Sequence, residues 1–120
     1  MKPFRTAVAL VALLAATGCD PTYSVSGTVV DASGAAVIGA TVTKACPSGG
    51  TEVVTTTVTG EFAFGGVGGS FEAPKCSLRI EKAGFKTQTV RTTDVCYRGT
   101  KEGNAGKPCG PGEGKITLLP

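Results

Sequence analysis

Five cysteines and no histidine define the chemistry open to this 120-residue chain. Cys46, Cys76, Cys96 and Cys109 lie in its body, and thiols there could ligate a metal, act as nucleophiles or pair as disulfides. None of the four forms a C-x₂-C pair, and imidazole is missing, so no metal site is expected. A nucleophile needs a base. Without histidine, and with Asp31 and Asp94 in turn-like contexts, no catalytic residue and no cofactor is assigned. The glycine-rich stretches do not make a phosphate loop either. Ahead of Gly106-Lys107 the position that requires glycine is Lys101, and Pro108 follows where serine or threonine belongs. Two disulfides remain as the use of an even cysteine number in an exported domain; four cysteines allow three connectivities, and sequence alone does not choose.

Export is what the N-terminus announces. Lys2 and Arg5 precede Ala7 to Ala16, an uncharged apolar run of ten residues, half the roughly 20 that a membrane-spanning helix needs. The run ends in small residues, and the fifth cysteine, Cys19, follows at once. Ala16-Thr17-Gly18-Cys19 resembles the lipobox of bacterial lipoproteins, although Ala16 stands where that family prefers leucine. The resemblance implies a signal peptide over residues 1–18, cleavage before Cys19, and acyl chains on Cys19 that hold the protein to a membrane. One acyl chain anchors reversibly and two or three hold firmly, each buried CH₂ contributing roughly 0.8 kcal/mol.

Processing would remove Lys2 and Arg5 and lower the net charge from +3 to +1, which argues against nucleic acid or anionic lipid as a partner. The remainder, one domain of residues 23–120 on a short tether of residues 19–22, has abundant glycine and threonine and no tryptophan. That composition favours short strands and tight turns.

Period-2 alternation gives seven strands. They are residues 23–30 (YSVSGTVV), 40–43, 52–58 (EVVTTTV), 61–64 (EFAF), 77–82 (SLRIEK), 86–93 (KTQTVRTT) and 115–119 (KITLL). "DASG", from Asp31 to Gly34, is turn chemistry. The expected fold is all-β, a seven-stranded sandwich.

The order of these blocks carries a second resemblance. Gly27, Val29, Asp31, Gly34, Gly39, Ala40 and Val42, then Thr57, Gly60, Phe62 and Phe64, then Leu78, Ile80, Gly84 and Phe85 are similar to the carboxypeptidase regulatory-like domain, a prealbumin-like (transthyretin-like, Ig-like) sandwich. The match runs from Tyr23 to about Thr93 and includes the last strand. Two loops depart from the family: "GGVGGSFEAPKC" before the fifth strand, and "YRGTKEGNAGKPCGPGEG" between the last two. The resemblance implies that strands two and five are antiparallel neighbours, which pairs Cys46 with Cys76 and leaves Cys96 with Cys109 across the second expanded loop.

The expected function is a non-catalytic, membrane-anchored lipoprotein of the bacterial envelope whose sandwich binds protein, mediates adhesion or supports envelope assembly. Because only Asp20-Pro21-Thr22 separates Cys19 from the first strand, the expected partner is a membrane-proximal envelope protein. A carbohydrate-binding module is the alternative; its sugar-stacking aromatics would have to be Tyr97 and Phe71. An accessory subunit of an envelope transporter or enzyme is a further one.

Overall fold

The computed structural model describes residues 22–67 and 72–120. Cys19, with the rest of the expected signal and tether up to Pro21, lies outside the described residues, as does Phe71.

Alternation in the first strand, β1 (Thr22–Val30), sends Val25, Gly27 and Val29 inward and leaves Ser24, Ser26 and Thr28 half-buried or exposed on the other face. β1 is central. On one side it pairs antiparallel with β4 (Glu61–Val67). On the other it pairs first with β7 (Cys96–Gly99, antiparallel) and then with β8 (Lys115–Thr117, parallel). The second sheet has the order β3-β2-β5-β6, all antiparallel, from β2 (Thr41–Ala45), β3 (Thr51–Thr55), β5 (Ser77–Glu81) and β6 (Gln88–Arg91).

The core lies between the two sheets. Val25, Val29, Phe62, Phe64 and Ile116 from the first meet Val42, Leu78 and Ile80 from the second, all buried. Full burial contributes roughly 1.5–3 kcal/mol for each such side chain. The fold is therefore an all-β sandwich, with eight strands and two disulfides among the described residues.

The eighth strand corrects the sequence reading. The sequence reading places residues 97–99 in the expanded loop, yet Cys96–Gly99 pairs along β1 from Ser26 to Tyr23. The expected strand over residues 52–58 stops at Thr55. Thr56 turns its buried hydroxyl onto the Val37 carbonyl at 2.6 Å and accepts the Ala40 amide at 2.8 Å. Thr57 and Glu61 then close a turn through Gly60, whose φ of +79° suits glycine. The expected strand over residues 86–93 shortens to Gln88–Arg91 because Thr92–Asp94 form one 3-10 turn, with the Asp94 carboxylate accepting the Arg91 amide at 3.0 Å.

The turn after β1 behaves as its residues dictate. One carboxylate oxygen of Asp31 accepts the Ser33 amide at 2.9 Å, the Ser33 hydroxyl at 2.6 Å and the Ala35 amide at 3.0 Å. The hydroxyl of Ser33, then the Ala35 amide, hold the Asp31 carboxyl below its ordinary value. The folded value is the depressed one, so this contribution is full above the ordinary aspartate range and is lost as pH falls through the folded value. An NMR titration should therefore find Asp31 ionising below ordinary aspartates, with the Ser33 and Ala35 amides shifting at the same pH. A midpoint in the ordinary range would contradict the turn geometry.

Candidate functional site

The two disulfides lie where the strands deliver them. β2 ends at Ala45 opposite Ser77, the first residue of β5, so Cys46 and Cys76 continue that pairing by one step; their Cα atoms are 4.2 Å apart and their sulfurs are joined. Cys76 is fully buried. Cys96 opens β7 opposite Ser26, on the outward face of β1, and would be exposed there if nothing covered it. It is 2% exposed, because the segment after β7 folds back over this face and Cys109 within it is bonded to Cys96.

The same segment is held by charge. Arg98, next outward on β7, donates to Glu113 at 2.8 Å, and Glu113 also accepts the Gly110 amide at 2.8 Å. The Arg98 hydrogen bond, then the Gly110 amide, lower the Glu113 pKa. Asn104 accepts the Gly99 amide at 2.8 Å, and the Gly114 carbonyl accepts the Thr28 amide at 3.0 Å. The expanded loop is therefore a cover for the first sheet. Cys96, Cys109 and Glu113 bring three potential ligand atoms within 4.8 Å of one another, but the sulfurs are bonded to each other and Arg98 occupies the carboxylate.

The buried group that sequence reasoning passed over is Lys44. Continuing the alternation from Val42 places it on the core face, and that parity was the available signal. Its ammonium lies under the end of the sandwich where β1 begins. It donates to the Tyr23 hydroxyl and pairs with Glu52 at 2.7 Å. The Tyr23 and Phe64 ring centres lie 4.7 and 5.4 Å away. Burial alone would depress this lysine, but the hydrogen bonds it donates to Glu52 and Tyr23 outweigh it and raise the pKa above the ordinary value. With its ammonium held by Tyr23 and Glu52 and flanked by two rings, Lys44 closes this end of the core.

A small recess of about 200 Å³ beside Lys44 is bordered by Glu72, which accepts both the amide and the hydroxyl of Ser48. A larger groove, about 640 Å³, runs from β3 across the start of β4 to the covering loop; Val54, Phe62 and Ala63 line it together with threonines, glycines and the charged Glu61, Glu113 and Lys115. Tyr97, one of the two aromatics on which sugar stacking would depend, points inward and is 7% exposed. Its hydroxyl donates to Glu102 at 3.2 Å; burial first, and the Glu102 charge second, push its pKa up to about 12. Tyr97 is a core residue and offers no platform to a glycan. Among the described residues no helix is long and apolar enough to cross a membrane.

These features define a class: a stapled β-sandwich whose buried polar groups are satisfied among themselves and whose open features are surfaces and edges. The chain belongs to the carboxypeptidase regulatory-like domain family, whose model matches residues 24–104. That span takes in the first seven strands and ends at Asn104; Cys109 and β8 lie beyond it. No curated protein and no solved structure matches the chain.

Proposed function

We propose that this protein is a non-catalytic envelope lipoprotein, anchored by acyl chains on Cys19, whose sandwich is a scaffold for a protein partner at the same membrane. Domain bounds of 1–18 for the signal, 19–22 for the tether and 23–120 for the sandwich belong to the same proposal. The observation that carries it is the join between lipobox and fold. β1 begins at Thr22, so Asp20 and Pro21 alone separate it from Cys19.

Thr22 is also fixed. Its amide donates to the Thr100 hydroxyl at 3.0 Å, and its carbonyl accepts the Thr100 amide at 2.9 Å. A tether this short reaches at most roughly 10 Å, which would hold the β1 entry end, with Lys44 and the Cys46–Cys76 bond, against the headgroups. Aspartate directly after the cysteine resembles the inner-membrane retention signal of enteric lipoproteins. What supports a scaffolding role is the family itself, a regulatory-type domain.

The test is Cys19→Ser in the full-length protein. Acyl label should fall to background and the protein should leave the membrane fraction. A variant that remains membrane-bound and labelled would overturn the proposal.

A further inference from the structure

We propose that Cys96, Cys109 and Glu113 become a site for a divalent, thiolate-seeking metal ion such as Zn²⁺ once a dithiol reduces the bond between the two sulfurs. The inference stands on the covering segment alone and does not depend on the anchored reading.

No metal site is expected from spacing along the chain, yet the fold brings three ligand atoms, from β7 and the cover, within 4.8 Å of one another. In the oxidised chain the site is closed, because sulfurs bonded to each other offer no thiolate. Disulfide exchange opens it in balance. The dithiol supplies two electrons and two protons, closes into its own disulfide and leaves Cys96 and Cys109 as thiols. Metal binding then displaces the thiol protons.

The two disulfides differ in what such a reductant reaches. Exchange needs a thiolate to approach a sulfur, and Cys109 is exposed on the cover. Cys76 is fully buried and Cys46 half-buried, where two central strands meet. Opening a loop of 13 residues also gives up less than opening one of 30. Reduction therefore takes Cys96–Cys109 first.

Reduction does not scatter the ligands, because the cover is pinned on both sides of Cys109. Asn104 accepts the Gly99 amide on one side, and the Gly114 carbonyl accepts the Thr28 amide on the other. Gly114 is closely seated: a Cβ there would come within 2.9 Å of the Ser26 carbonyl oxygen and 3.1 Å of the Cys96 amide nitrogen. Glu113 is the residue before it. Arg98 and the Gly110 amide both bond to its Oε1, and among the described residues its Oε2 has no hydrogen bond. Cys96 is fixed in β7; Cys109, exposed and next to Gly110, has room to draw its sulfur back until each lies about 2.3 Å from an ion. The Ser26 hydroxyl, 3.6 Å from the Cys109 sulfur, is placed to donate to a thiolate there. Charge and softness choose the ion. Two thiolates and a carboxylate carry three negative charges, which a divalent ion and the adjacent Arg98 guanidinium balance. Paired thiolates favour Zn²⁺ and similar ions over Mg²⁺ or Ca²⁺, and three protein ligands leave a fourth position for water.

Titration of the full-length protein with Cd²⁺ tests this, with Cys19→Ser present throughout so that the fifth thiol is absent. A dithiol is added and then removed without air. Alkylation and mass mapping should find thiols at positions 96 and 109 alone, with Cys46–Cys76 intact. The reduced protein should take up one Cd²⁺ per chain with thiolate-to-metal absorption, and the oxidised protein none. Glu113→Gln should weaken Cd²⁺ binding by roughly 10–100-fold or more, since loss of even a ligand's outer partner does as much. Glu102→Gln, which alters a carboxylate elsewhere on the cover, should leave it unchanged. If Glu113→Gln melts early, X-ray absorption by the Cd²⁺ complex without that substitution takes its place, and should find two sulfur neighbours with oxygen completing the shell. No uptake by the reduced, folded protein would overturn the inference, as would equal uptake by the oxidised one. So would indifference to Glu113→Gln, loss of the Cys46–Cys76 bond at the same dithiol concentration, or a sandwich that unfolds on reduction.

Discussion

Replacing both Cys46 and Cys76 by alanine is expected to destabilise the sandwich by roughly 4 kcal/mol, the chain-entropy value for a closed loop of this length. The bond spans 30 residues and joins the ends of β2 and β5, two central strands of the second sheet. Against a typical domain stability of roughly 5–15 kcal/mol this is a large share, and melting should fall by roughly 15–30 °C. The Cys96–Cys109 bond spans 13 residues, for which the same relation gives roughly 3 kcal/mol. Its loss should be felt less globally. The cover it holds remains tied by Arg98 to Glu113 and by the Thr28 amide to Gly114, and the core beneath it is complete. Thermal denaturation of the two double variants checks the order. A larger drop for the Cys96–Cys109 pair would mean that the cover, and not the second sheet, limits stability.

Gly27→Val should be comparably severe, at about 3 kcal/mol or more, the upper end of the overpacking range. Even a bare Cβ at position 27 would come within 2.5 Å of the Gly114 carbonyl oxygen and 2.7 Å of the Phe62 ring. Neither neighbour can yield cheaply. The Gly114 carbonyl accepts the Thr28 amide just before β8, and Phe62 packs edge-on against Phe64, ring centres 6.2 Å apart, in the core. Gly65→Ala is the paired control and should change stability by less than about 0.5 kcal/mol, like other open surface positions. Equilibrium unfolding in denaturant separates the two glycines. Equal costs would show that the close approach at Gly27 relaxes freely.

The contrast between these glycines illustrates what a single sequence conveys. Gly27, Val29, Asp31 and Gly34 form a local grammar, an alternating strand that runs into an Asx turn, and their structure follows from neighbours in the chain. Leu78 and Ile80 were legible as a core face for the same reason. β7 was not. Cys-Tyr-Arg-Gly is too short to show a period, and its strand state comes from β1, about 70 residues earlier. Thr55, Thr56 and Thr57 look like more strand, yet the Thr56 hydroxyl satisfies backbone groups on the β1–β2 connection, a contact no local pattern records. Lys44 lay within reach. A lysine in phase with Val42 had to be either a break in the strand or a buried charge, and its partners, Tyr23 and Glu52, come from two other strands.

The central claim, an acylated cysteine holding a non-catalytic sandwich at a membrane surface, is tested most directly by the intact mass of the protein purified from its own envelope. The account predicts a chain that begins at Cys19, two hydrogens lighter for each of two disulfides, and heavier by a diacylglyceryl group with or without an amide-linked acyl chain. A chain that still carries residues 1–18, or one that begins at Cys19 with no added lipid, would contradict it.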